Sequence, residues 1–147
     1  MDTIEECDRS EFVELAGLAS KFYSSSSALK KFDINVFCST WNNLYSIGAG
    51  VIFLLKRELD IIGVIGGIKY PDVNSGELIA TEMFWFVDQE KRGNGIKLFK
   101  RFESWARDNK CKSIIMVHLI DSMPDKLKKL YTRYGYKPIE ISYKKEL

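Results

Sequence analysis

The stretch that most restricts the architecture of this chain is Phe86-Val87-Asp88-Gln89-Glu90-Lys91-Arg92-Gly93-Asn94-Gly95-Ile96-Lys97-Leu98. The residues leading into it, Glu77 to Val87, read as a strand rich in β-branched and aromatic side chains, including Phe84, Trp85 and Phe86. From Gly95 the period becomes helical, with Ile96, Phe99, Phe102 and Ala106 on one face, Leu98 and Trp105 widening it, and Asn109-Lys110 ending it. A strand therefore passes into a helix through a turn with two glycines. Such a turn lets successive backbone N–H groups converge on one point, and the positive end of the helix dipole reinforces them, so a phosphate or pyrophosphate is the expected guest. A glycine pair before a helix is equally what a plain tight turn requires. A Walker loop, G-x-x-x-x-G-K-[ST], is absent, and a dinucleotide fingerprint would need a small residue where Leu98 stands.

The segments around this turn complete an α+β pattern. A short strand near Thr3 to Glu6 precedes an amphipathic helix over Ser10 to Phe22, with Asp8 or Ser10 as its N-cap. Ser24 to Ser27 reads as a loop, and a second helix runs from about Ile34 to Tyr45. Val51 to Leu55 and Ile61 to Tyr70, joined by a charged turn, form a hairpin of two largely buried strands. Beyond the Gly93–Gly95 turn and its helix come a strand over Ser113 to Ile120, a helix opened by Pro124 with Gly135 as its C′ residue, and a last strand over Pro138 to Tyr143. The order is (β)ααβββαβαβ, a mixed, mostly antiparallel sheet flanked by helices, and residues 1–147 read as a single domain.

Composition narrows the setting. Three scattered cysteines, Cys7, Cys38 and Cys111, and one histidine, His118, argue against a zinc site, any other metal centre or a disulfide framework. No apolar run approaches the roughly 20 residues of a membrane span, and the acidic start lacks the pattern of a signal peptide, so a cytoplasmic protein with free thiols is expected. The net charge of +2 argues against a nucleic-acid partner, but it hides a division. Residues 1–90 carry 7 basic and 14 acidic side chains, whereas residues 91–147 carry 15 basic and 6 acidic. The basic half begins at the phosphate turn, with Lys91, Arg92, Lys97, Lys100 and Arg101. Lys126, Lys128, Lys129 and Arg133 read as a nucleic-acid patch or as a solvated helix face.

From Gly63 to Leu147 the chain resembles the GNAT superfamily of acetyl-CoA-dependent N-acetyltransferases. Val87-Asp88-Gln89-Glu90-Lys91-Arg92-Gly93-Asn94-Gly95-Ile96 is similar to that family's V-x-P-x-x-R-G-x-G-I segment, Leu130-Tyr131-Thr132-Arg133-Tyr134-Gly135-Tyr136 to its L-Y-x-x-x-G-[FY] signature, and Ile61-Ile62-Gly63 to the I-V-G of its third strand. More narrowly, Thr81 to Val87, Glu103-Ser104-Trp105-Ala106 and Glu140 to Leu147 resemble small acetyltransferases of bacteriophages, which would put the protein in a host cytoplasm. Two positions depart from the pattern: Lys97 stands where the pyrophosphate motif has a small residue, and Pro124 where an asparagine is common.

The resemblance implies acetyl-CoA as cosubstrate and direct transfer of its acetyl group to a primary amine, on a small molecule or a protein lysine, in a ternary complex. It implies a pyrophosphate held by Arg92, Gly93, Asn94, Gly95, Ile96 and Lys97, and a pantetheine arm paired to the backbone at Phe86 and Val87, where the strand ending at Val87 splays from its neighbour. Tyr131 matches the tyrosine that protonates the departing thiolate; as a bare residue it equally reads as a helix tyrosine packing beside Leu127 and Leu130. Amine attack needs a neutral nucleophile, hence a proton acceptor. Glu82, in an otherwise apolar strand, is the best-placed carboxylate for a general base, with a salt-bridged or edge-facing glutamate as the alternative. Strand alternation puts Glu82, Phe84 and Phe86 on one face and Met83, Trp85 and Val87 on the other. Phe22, Tyr23 and the serine loop are candidates for the acceptor pocket, whose acidic side suits a cationic amine, with a plain surface loop as the alternative. A module that binds coenzyme A without catalysis, or a nucleic-acid-binding domain, are the competing readings. A lone terminal strand would also suit a homodimer.

Overall fold

The computed structural model describes residues 1–24, 31–91, 93–118 and 124–147, which gather into two compact units, Met1–Val117 and His118–Leu147. The first unit is built on a five-stranded sheet: β1 (Asp2–Glu6), β2 (Gly50–Arg57), β3 (Asp60–Pro71), β4 (Leu78–Val87) and β5 (Ser113–Ile115). They lie in chain order; β1 to β4 pair antiparallel and β5 runs parallel to β4. Helices α1 (Phe12–Ser24) and α2 (Ile34–Ser46) follow β1, and α3 (Gly95–Asp108) connects β4 to β5.

Both faces of the sheet are covered, and β2 shows why it reads as an unbroken apolar run. Ile52 and Leu54 join Phe12, Leu15, Ala16, Phe37 and Trp41 beneath α1 and α2. Val51, Phe53 and Leu55 join Leu98, Phe102 and Ala106 beneath α3. Two glycines of β3 admit rings from opposite faces. A Cβ on Gly66 would collide with the Phe84 ring, and one on Gly67 with the Phe102 ring. Side chains there would push apart packing that approaches crystal density.

Aspartates cap the first two helical segments. Asp8 is the N-cap of a 3-10 turn, Arg9–Glu11, that leads into α1: its carboxylate accepts from Ser10 N (2.9 Å), and Glu11 reaches back to Asp8 N (2.9 Å), a complete capping box. Asp33 caps α2 by accepting from Val36 N at 3.0 Å. Cys7 is buried, which pushes its thiol up to about 12 and removes it from thiolate chemistry.

In the second unit, α4 (Pro124–Arg133) ends as Gly135 predicts. Gly135 takes φ +84°, its N–H donates to Thr132 O (3.1 Å), and Tyr136 N donates to Tyr131 O (2.9 Å). This is a Schellman cap, and the Tyr131 and Tyr136 rings, 5.8 Å apart, supply its usual apolar contact.

Two sequence readings change. Residues 138–143 form no ladder among the described residues, and Ile139, Ile141 and Tyr143 are 70%, 74% and 92% exposed. Alternation makes a segment capable of being a strand, but only a hydrogen-bonded neighbour makes it one. The strand expected over Ser113 to Ile120 is confined to Ser113–Ile115 among the described residues. Of the serine loop, Ser24 closes α1, while residues 25–27 lie outside the described residues.

Candidate active site

The site is set by the place where β4 and β5 part. Their ladder runs only through Ile79↔Ser113, Ala80↔Ile114 and Thr81↔Ile115. One residue later β4 also bulges: Gly67 opposes Glu82 and Gly66 opposes Phe84, so Met83 is extra. Beyond Thr81, β4 is paired with β3 on one side, and no described strand follows its other edge past Phe86 and Val87.

The bulge corrects the expected alternation. Ala80, Trp85 and Val87 all pack on the α3 face, whereas Phe84 and Phe86 pack on the α1–α2 face. A face shared by residues 80 and 85 is impossible in an uninterrupted strand. The count therefore changes between Glu82 and Phe84, and the two do not share a face by simple alternation.

Glu82 is 6% exposed, and its carboxyl reaches the backbone N–H of Val117, at 3.5 Å, in the gap that the ladder leaves. Burial pushes its pKa up to about 8, and the Val117 N–H offsets this only in part. It carries no ion pair, so the salt-bridged alternative does not apply among the described residues. Tyr23, in the last turn of α1, is within electrostatic reach: burial raises its pKa, and the Glu82 charge raises it further. Phe22 stacks on Phe86 with centroids 4.7 Å apart, and Tyr23 lies against Phe32 at 5.0 Å. An aromatic wall thus stands on the α1 side of β4. On the opposite face the indole N–H of Trp85 is buried with no partner among the described residues, and its ring stacks on Phe99 at 5.7 Å.

The turn after β4 is closely tied down. Asp88 N donates to Ile62 O (2.7 Å), and Glu90 N donates to the Asp88 carboxylate (3.0 Å), shaping a 3-10 turn over Gln89–Lys91. Arg92 lies outside the described residues. Gly93 adopts φ +135° and Asn94 φ +59°, ψ 7°, so the chain enters α3 through left-handed backbone. A Cβ on Gly95 would lie 2.9 Å from Val87 Cγ2, so only glycine lets the helix start this close to the end of β4. The Asn94 side chain makes no cap hydrogen bond to α3, and Ile96 and Lys97 stand in its first turn. Lys97 is exposed and does not obstruct the helix end. Of the other cations, Lys91 pairs with Asp60 at 3.4 Å and Arg101 lies over the Phe53 ring at 4.4 Å.

The sequence reading missed two residues beside this turn. Asp2 takes both Nε (2.8 Å) and an NH2 (3.0 Å) of Arg57, and its Oδ2 also accepts from Asn94 Nδ2 at 2.7 Å. No local pattern joins positions so far apart; charged residues opposed across β1 and β2, Asp2↔Arg57, were the sole clue.

In the other unit, Tyr131 is buried in α4, with its carbonyl and ring committed to the cap described above. His118 is exposed.

The sequence profile of the acetyltransferase (GNAT) family matches residues 14–136. The chain belongs to the GNAT family. The match runs from α1 through the Schellman cap of α4, so it includes both units. No curated protein sequence matches significantly. Solved structures share the GNAT fold at low identity. A transcriptional regulator from Bacillus halodurans C-125 superposes with a TM-score of 0.79 at 15% identity over 100% of both chains. A predicted acetyltransferase from Clostridium acetobutylicum, solved with acetyl-CoA, gives 0.75 at 15% identity over 99% of this chain and 96% of its own. A ribosomal-protein-alanine N-acetyltransferase from Brucella melitensis biovar Abortus 2308 gives 0.75 at 18% identity over 99% of each. Among the described residues no helix is long and apolar enough to cross a membrane, and no cluster of side chains could hold a metal.

Proposed function

We propose that this GNAT protein moves the acetyl group of acetyl-CoA to a primary amine by direct transfer in a ternary complex, with residues 1–147 acting as one catalytic domain. The observation that carries the reading is Glu82: a buried carboxyl, with its pKa pushed up to about 8, at the gap between β4 and β5. A carboxyl without an ion pair is expensive to bury, and one that titrates near operating pH is well matched to accepting a proton.

Each residue then has a defined task. The backbone N–H groups of Gly93, Asn94, Gly95 and Ile96, with the side chains of Arg92 and Lys97, bind the pyrophosphate, helped by the α3 dipole. The outer edge of β4 at Phe86 and Val87 pairs with the pantetheine arm, continuing the sheet where β5 leaves it. Glu82 takes the proton from the amine, directly or through water, as nitrogen attacks the thioester carbonyl. The C–S bond breaks and Tyr131 returns a proton to the leaving sulfur. Phe22 and Tyr23 border the acceptor, and the excess of acid in residues 1–90 favours a cationic amine, on a small molecule or a protein lysine. Cys7, Cys38 and Cys111 as free thiols suit the reducing cytoplasm. In support, the Clostridium neighbour holds acetyl-CoA and the Brucella neighbour is named for acetylating an amine.

The test has two arms. Acetyl-CoA at 100 times its dissociation constant should stabilise the protein by about 2.7 kcal/mol in a thermal shift; no shift at millimolar acetyl-CoA overturns the reading. Thiol release should then appear with members of a panel of polyamines, aminoglycosides, aminonucleosides and lysine peptides. Binding without release across the panel would make the protein a coenzyme A-binding module instead.

A further inference from the structure

We propose that Asp2 is a positioning residue for the acetyl-CoA loop: by holding the Asn94 side chain, it keeps the start of α3 open to the ligand's phosphates. This rests on the function proposed above and adds a residue that the family motif does not contain.

The start of α3 is anomalous. Asparagine is among the best N-cap residues, and in that role its backbone is extended while its side-chain oxygen accepts from amides of the first turn. Asn94 stands at the N-cap position of α3 but does neither. Its backbone is left-handed, and its side chain makes no cap hydrogen bond. Instead, its amide nitrogen donates to Asp2 Oδ2 at 2.7 Å. A left-handed conformation is unfavourable for a residue with a Cβ, although asparagine tolerates it best when a local hydrogen bond supports it. Here the support comes from β1. Without it, Asn94 is able to relax to extended backbone and turn its oxygen onto the first-turn amides, competing with a phosphate for the same donors.

The surroundings of Asp2 fit this task. Its side chain is 5% exposed, and Arg57 grips both carboxylate oxygens. The guanidinium neutralises an acid that would otherwise repel an anion at the neighbouring turn, and it fixes the carboxylate's orientation. These hydrogen bonds hold the Asp2 carboxyl well below the usual carboxylate range, so it remains an acceptor across physiological pH.

Coulomb's law and positioning predict opposite signs for one substitution. Removing an acid beside an anion site, and releasing the arginine it neutralised, should tighten acetyl-CoA binding if charge alone mattered. If Asp2 acts by holding Asn94, Asp2→Ala should weaken binding, by about tenfold on the scale of a helix cap. Asp2→Asn, which keeps an acceptor for Asn94, should recover most of that loss. The deciding measurement is a double-mutant cycle with Asn94→Gly, because glycine takes the left-handed backbone unaided and has no oxygen with which to cap the helix. In that background Asp2→Ala should change the acetyl-CoA dissociation constant, measured calorimetrically, by less than about twofold. A loss that persists in the Asn94→Gly background would assign Asp2 a merely structural role and overturn the inference, as would unchanged or tighter binding by Asp2→Ala alone. In each of those cases the proposed function stands, because the wild-type protein still binds acetyl-CoA. No binding by the wild type overturns both.

Discussion

Strands β2 and β4 sit one apart in the same sheet and are built in opposite ways. Val51 to Leu55 of β2 are buried without a polar side chain, both faces are packed, and the strand is laddered to β3 throughout and to β1 from Phe53 on. Past Thr81, β4 keeps one ladder among the described residues, carries a bulge and buries a carboxyl. The first arrangement maximises burial and saturates the backbone; the second leaves an edge and an acid for something else to satisfy. Stability and the proposed chemistry are thus housed in different strands, and substitutions should separate them.

The sharpest separation is at Glu82. Glu82→Gln should lower kcat by about 10² to 10⁴, the usual loss on removing a general base, while making the fold more stable at neutral and alkaline pH. The sign follows from its raised pKa. The unfolded chain gives up this proton near the ordinary value of 4.5, while the folded protein holds it to about 8. Unfolding therefore releases a proton between those values, and stability falls as pH rises through that window, then levels off. Denaturant titrations from acid to alkaline pH should show this slope in the wild type and lose it in the glutamine variant. A variant less stable than wild type at alkaline pH would contradict the assignment. Activity should run the other way: kcat/KM should rise with pH toward a plateau above about 8, the value of the Glu82 carboxyl.

On the packed side, Phe102→Ala should cost about 3–5 kcal/mol in urea unfolding, since its fully buried ring fills the space that Gly67 leaves. The cost should be independent of pH across the Glu82 window, which marks it as packing. Tyr131→Phe tests the acid role while keeping the carbonyl and ring that Tyr131 contributes to the α4 cap. Its kcat should fall by about 10²; an unchanged kcat would leave Tyr131 as a cap residue alone. The smallest effect belongs to Asp33→Ala, which removes the α2 cap and should cost about 1 kcal/mol, read as a lower midpoint with acetyl transfer unaltered.

What could be read from the sequence followed local chemistry. The Gly93–Gly95 turn, the Asp8 cap and the Gly135 stop act through residues a few positions away, whereas Glu82 stood out only as a carboxylate in an apolar strand, and its burial and its contact with Val117 exist only in the fold. The bulge at Met83 was illegible because an extra residue leaves the run of apolar side chains looking continuous; only the ladder to Gly66 and Gly67 reveals it. The supposed strand over residues 138–143 failed for the converse reason: its alternation is genuine, but a ladder belongs to two segments, never one. Asp2 and Arg57 escaped notice because their bearing on Asn94 exists only once β1 lies beside β2.

That last arrangement bears on how the protein matures. The loop that would greet the ligand is finished by a residue from the opposite end of the unit, through pairing of two strands separated by both α1 and α2. Contacts of such long sequence separation form late, after the intervening loops have closed. A partly folded chain could hold its helices and the β2–β3 hairpin and still present an unfinished loop, so affinity for the ligand would serve as a gauge of whether the first strand has docked.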